Sequence, residues 1–242
     1  MKKNAIAATI AAGLFLICAV DTAQAQAMTV LPVSVQMQPG QQATSLTIIN
    51  QGGTETAVQV RAFAWSQVDG KEELTPSDDI LISPPIATIA PGALQVVRVV
   101  LRKPIVGKEA TYRILLDQIP PAASPGTVRI ALRLSIPVFA PPAVRAVPHL
   151  AFHVEKSGSG QSYLVAVNTG TAHSRLSDLR LTTVDGAGLK VESEASPYLL
   201  AGTTHRWIVA SGALAVGSTL HLTAHGVNRD IVADVPIVVE HP

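Results

Sequence analysis

Cysteine is almost absent from this sequence. The 242-residue chain has one, Cys18, inside the N-terminal apolar run. A chain relieved of that run has no disulfide to staple it, even in a compartment that permits disulfides. Aromatic residues make up only 4% and charged residues only 14%. The cores must therefore be built of Val, Leu, Ile and Ala, a composition whose β-branched share favours strands. Helical periodicity is missing throughout. So is any glycine loop placed to cradle phosphate ahead of a helix. Ser157-Gly158-Ser159-Gly160 does not meet the frame of a nucleophile elbow and reads as a hairpin loop. His221 and His225, like His149 and His153, are four apart. On an extended strand that is about 13 Å, too far to share one ion, so no metal or other cofactor is expected. No acid, base and nucleophile converge in the sequence, so an enzyme is not expected.

What is present begins with a secretory leader. Lys2 and Lys3 precede an apolar run from Ala5 to Val20, and Ala23-Gln24-Ala25 and Ala25-Gln26-Ala27 offer small-x-small cleavage sites. The run is shorter than the roughly 20 residues that span a bilayer. Residues 1–27 are read as a cleaved signal peptide that delivers the chain across the inner membrane to the periplasm, with no membrane insertion of the mature chain. Phe15-Leu16-Ile17 lacks the small residue that lipidation of Cys18 requires. Loss of Lys2, Lys3 and Asp21 takes the formal charge from +1 to zero. Neutrality gives no footing for nucleic acid.

After residue 27 the sequence alternates between short apolar-patterned runs and turn residues, the mark of an all-β chain. Strands are predicted at Val30–Met37, Ala43–Asn50, Ala57–Gln67, Ile80–Ser83, Leu94–Arg102, Ala110–Gln118 and Val128–Phe139. About seven or eight strands in some 110 residues suits one immunoglobulin-like sandwich. Pro141-Pro142 and Pro148 then bracket a stiff boundary. Further strands are predicted at Phe152–Lys156, Ser162–Asn168, Arg175–Val184, Arg206–Ala210, Thr219–Ala224 and Asp230–Glu240. The reading is two immunoglobulin-like β-sandwich domains, 28–142 and 143–242. Trp65 and Trp207 are expected in a core or at a domain edge with their indole N–H groups satisfied.

Val128–Phe139 is the most informative stretch. Val128, Ile130, Leu132, Leu134, Ile136 and Val138 recur at period two, so one strand would line them up on one face. Such a row can fill the domain's own core. It can also be offered to a partner that lacks a strand, with the backbone ladder covering the partner's open edge.

The chain resembles the PapD-like periplasmic pilus chaperones, and among them the Csu or spore-coat-U (archaic) type. The residues that carry the resemblance are Pro32-Val33-Ser34-Val35 with Pro39-Gly40, Leu46 to Gly52, Val60 to Trp65, Ser83-Pro84-Pro85-Ile86, Ala90-Pro91-Gly92 with Val97-Arg98-Val99, Tyr112 to Leu116, Ile119-Pro120-Pro121, and the alternating run. The resemblance implies two domains set as a boomerang and a role in fimbrium biogenesis. The chain would bind pilin-like subunits by donor-strand complementation and pass them to an outer-membrane usher. It implies a donor row of Val128, Ile130, Leu132, Leu134 and Ile136, in the first domain, and a basic anchor for the subunit's C-terminal carboxylate. It also admits self-association when the chaperone is free of cargo. Conventional members place an arginine and a lysine where this chain has Ser34 and Pro137. The anchor candidates are instead Arg113, then Arg98, since a bidentate guanidinium suits an anionic terminus. Arg129 and Arg133 are read as rim residues. The competing reading is a secreted structural or adhesive sandwich protein, a pilus or coat subunit. The two-domain length and the internal donor row argue against it.

Overall fold

The computed structural model describes residues 28–68, 70–120, 130–192, 196–210, 214–226 and 229–240. The leader 1–27 and the donor-row residue Val128 lie outside the described residues. Every element described is a β-strand, and among these residues no helix is long and apolar enough to cross a membrane.

The first half contains β1 (Met28–Leu31), β2 (Val35–Gln36), β3 (Ala43–Asn50), β4 (Thr56–Val68), β5 (Lys71–Pro76), β6 (Ile80–Ser83), β7 (Ile86–Ile89), β8 (Leu94–Leu101), β9 (Ala110–Ile119) and β10 (Arg133–Ala140). Two sheets face each other. One has the order β1-β3-β8-β6, the other β2-β10-β9-β4-β5 with β7 also on β4. Between them Ile48, Val58, Val97, Ile114, Leu116 and Val138 are wholly buried. Each comes from the inward row of its strand, as the two-residue period requires. The single strand expected at Val30–Met37 is two pieces in different sheets. β1 pairs with β3 and β2 with β10, and Pro32, which has no N–H for a ladder, stands in the break.

The second half contains β11 (Leu150–Lys156), β12 (Ser162–Asn168), β13 (Ser174–Arg175), β14 (Ser177–Thr182), β15 (Gly188–Val191), β16 (Tyr198–Leu199), β17 (Thr204–Ala210), β18 (Thr219–His225) and β19 (Asp230–Val239). Seven of these close on themselves in the order β11-β12-β17-β15-β14-β18-β19. The parallel pairing of β11 with β19 completes the ring. Trp207 packs inside it with Leu164, Leu222 and Ile237. The long strand expected at Arg175–Val184 is interrupted after Arg175, where β13 turns to pair with β16.

Candidate functional site

β10 is the strand around which a site can be built. On one side it pairs antiparallel with β9 along its whole length, Arg133 opposite Asp117 to Ala140 opposite Ala110. On the other side it pairs with β2 only at Val138 and Phe139. The rest of that edge has no strand beside it among the described residues. The N–H of Gln118 donates to the C=O of Leu132, and the N–H of Met37 donates to the C=O of Phe139. Backbone direction alternates along an antiparallel strand. Leu132, Leu134, Ile136 and Val138 therefore bond toward β9, while Arg133, Ser135 and Pro137 present their backbone groups to the open edge. Pro137 has no N–H to lose there, which is why a proline is tolerated inside this strand.

The side chains divide along the same strand. Ile130 is 88% exposed and Leu132 37% exposed, both before the first strand residue. Leu134 packs half-buried against the core, and Ile136, at 3% exposure, lies within it beside Val138. Ile136 was expected in the donor row, and of the described residues of that row it is the most deeply covered. By that point the β1-β3-β8-β6 sheet covers the row, so Ile136 has a permanent neighbour in its own domain. The residues turned outward are Ile130 and Leu132, with Leu134 at the boundary.

The opposite face of this sheet carries the charges. Asp117 receives hydrogen bonds from Arg61, at 2.7 Å, and from Arg133. Burial raises the carboxyl pKa, but the two guanidinium groups outweigh it and hold the value below the ordinary carboxylate range. Arg113 sits directly opposite Pro137 and is only 8% exposed. Its guanidinium lies 3.8 Å over the ring of Trp65 and donates to Glu72 at 2.9 Å. Among the described residues neither Arg113 Nε nor Trp65 Nε1, both buried, has a hydrogen-bond partner, whereas the indole was expected to be satisfied. Arg98 proves remote. It stands on β8 opposite Ser45 and Ser83, on the exposed outer face of the other sheet, away from β10. A shallow hollow lined by Asp79, Lys103, Lys108 and Tyr112 lies on the other side of β9 and contains none of the expected site residues.

Sequence reasoning missed the seam between the two halves. The ends of β4 and β10 and the residue before β9 lie at one end of the sheet and supply Trp65, Gln67, Phe139 and Glu109. Phe139 stacks on the His173 imidazole, ring centres 3.5 Å apart and planes at 10°. Glu109 accepts from the backbone N–H of His173 and pairs with its Nδ1, both at 2.7 Å. The Gln67 amide donates to the C=O of Tyr198 and accepts from the N–H of Leu200 and the hydroxyl of Thr203. Trp65 and Phe139 close with Leu200 and Tyr198 into a small apolar cluster. These partners lie more than 30 residues apart in the chain, so no local pattern could have paired them.

Comparison with known proteins now bears on this geometry. Residues 27–145 match the family described as pili and flagellar-assembly chaperone, PapD N-terminal domain. No curated protein matches the sequence significantly. A chain in the crystal structure of the CsuC–CsuE chaperone–tip adhesion subunit pre-assembly complex, from archaic chaperone-usher Csu pili of Acinetobacter baumannii, is 24% identical. Its TM-score is 0.67 over 89% of this chain and 100% of that one. The E. coli chaperone DraB is 18% identical with a TM-score of 0.58, covering 87% of this chain and 97% of its own. A chain in the Salmonella enterica complex of SafA pilin with the SafB chaperone is 12% identical with a TM-score of 0.62, covering 87% and 97%. These likenesses establish a shared fold of two immunoglobulin-like domains.

Proposed function

From the premise that this chain belongs, through residues 27–145, to the PapD family of pili and flagellar-assembly chaperones, we propose that it is a periplasmic chaperone that lends β10 to pilin-like subunits. The two domains are taken as 28–142 and 143–242, and the leader 1–27 as removed on export. The observation that carries the reading is the division of β10. Its Ile136 end is built into the domain, while its Leu132 end has an open backbone edge and outward apolar side chains. A subunit lacking a strand would bond to Arg133, Ser135 and the C=O of Pro137. It would receive Ile130, Leu132 and part of Leu134 in its groove. Full burial of a branched side chain stabilises by about 1.5–3 kcal/mol, so the surface left exposed on Ile130 and Leu132 amounts to roughly 2–4 kcal/mol. That corresponds to millimolar binding at best. The backbone ladder and a charged anchor must supply the rest.

Arg113 is the anchor in this reading, because it stands opposite Pro137, where the ladder to β10 would end. The subunit would then pass to an outer-membrane usher and be released when another subunit's strand replaces β10. Free of cargo, the same edge could pair with a second copy of the chain. Binding alone suffices for each of these steps.

The test is co-purification from the periplasm of tagged wild type and Leu132→Glu with secreted products of neighbouring genes. A small β-rich subunit in one-to-one complex with wild type, and at least tenfold depleted from a folded Leu132→Glu variant, is the expected outcome. Equal retention by both would overturn the donor-strand reading. Display of the protein itself on the cell surface without a subunit would favour a structural role.

A further inference from the structure

Arg113 faces the right way along the strand and the wrong way across the sheet. It lies opposite Pro137, yet its guanidinium leaves β10 behind and crosses β4 to reach Glu72 on β5. With the order β10-β9-β4-β5, Glu72 is three strand spacings from β10, about 14 Å. We propose that Arg113 has two seats, and that Glu72 is an internal stand-in for the subunit carboxylate, holding the arginine in the seat away from the donor edge until cargo arrives. The proposal rests on the reading of Arg113 as anchor.

Three features of the present seat make it one that can be left. Among the described residues Arg113 has one ion-pair partner, and its Nε is buried without an acceptor, so its donors are incompletely used. The Glu72 side chain is 35% exposed on a strand whose residues are all exposed, so it can turn to water with little loss. The rings of Trp65, at 3.8 Å, and Tyr198, at 5.7 Å, hold the guanidinium by its face, with no fixed hydrogen-bond direction. The second seat is within reach. A strand added to the edge of β10 lies two spacings from β9, about 9.6 Å. An extended arginine arm of roughly 7 Å, from bonds of about 1.5 Å, plus a charge-assisted hydrogen bond of about 2.8 Å, spans that distance.

The exchange is carboxylate for carboxylate, so net pairing is conserved. It also gives selectivity. Glu72 is tethered and competes at an effective concentration on the order of millimolar. A free small anion below that level cannot displace it. A carboxylate held beside Pro137 by its own backbone ladder can.

The probes are a ten-residue peptide alternating valine with serine and ending in a free carboxylate, its C-terminal amide, and acetate. Kd for each is measured on wild type, Glu72→Gln, Arg113→Gln and Arg113→Lys, with far-UV circular dichroism confirming the fold. The expected result is an acid-over-amide preference about tenfold larger in Glu72→Gln than in wild type, the scale of an ordinary coupling. In Glu72→Gln, acetate should also compete with the acid peptide at concentrations that have no effect on wild type. The preference should disappear in Arg113→Gln and persist in reduced form in Arg113→Lys. A preference that depends on Arg113 but is unchanged or diminished in Glu72→Gln would overturn the stand-in and leave the anchor. A preference independent of Arg113 would overturn the anchor and the stand-in together. Failure of both peptides to bind any variant would overturn the edge reading beneath them.

Discussion

His205 is a buried imidazole packed against Trp207, ring centres 4.4 Å apart, and its Nδ1 has no hydrogen-bond partner among the described residues. Burial pushes its pKa below the ordinary value. A depressed folded pKa contributes stability that is full above the unfolded value of about 6.5 and is lost as pH falls through the folded value. His225 has the opposite sign. The hydrogen bond it donates to the Asp230 carboxylate raises its pKa, so its contribution is present below the unfolded value and lost as pH rises through the folded one. It is exposed and screened, so His205 should dominate on acidification. The thermal midpoint is expected to fall between pH 7 and pH 5 in wild type and to fall less in His205→Phe. An equal fall in both would place the acid sensitivity elsewhere. In the sequence the histidines invited only a question about metal. Their actual roles, a buried ring and a stacked one at the seam, depend on Trp207, Phe139 and Glu109, and only the folded chain brings Phe139 and Glu109 near.

At the scale of the strand, β10 shows what alternation can and cannot convey. The period of two placed Ile130, Leu132, Leu134 and Ile136 in one row, and the register bears that geometry out from Leu132 onward. Periodicity is blind, however, to where the facing sheet stops. Ile136 and Leu132 look identical in sequence and differ only in what covers them. β5, with the sequence KEELTP, was invisible for another reason. It is an exposed edge strand with no apolar face to alternate. Its Glu72 was missed with it. The open edge of β10 leads to a separable prediction. The Ser135 N–H points away from β9, so Ser135→Pro removes a donor that the domain does not use. Folding stability should change by less than about 1 kcal/mol, while subunit recovery falls at least tenfold. Denaturant midpoint and co-purification measure the two. A large stability loss would mean that Ser135 bonds toward β9.

For the molecule as a whole, the seam sets how the two halves are held. Gln67→Ala would leave the N–H of Leu200 and the C=O of Tyr198 without their partner. Buried groups so stranded cost about 1–3 kcal/mol each unless water replaces the amide. Unfolding followed by Trp65 at the seam and Trp207 in the second core should then separate into two transitions. Coincident transitions would show that Phe139, His173 and Glu109 suffice to couple the halves. Two compact all-β halves were legible from strand count and proline spacing, but the contacts joining them were not. They require side chains from the ends of β4 and β10 to meet β16 and the loop that begins after Asn168. The division of β10 has a last consequence. Because Ile136 and Val138 are buried in the domain's core and Ile130 and Leu132 are not, release of a subunit under the proposed reading would remove nothing from the lender's own core. The protein would then return from each delivery in the shape in which it set out. It would serve as a reusable mould through many rounds, with no refolding between them.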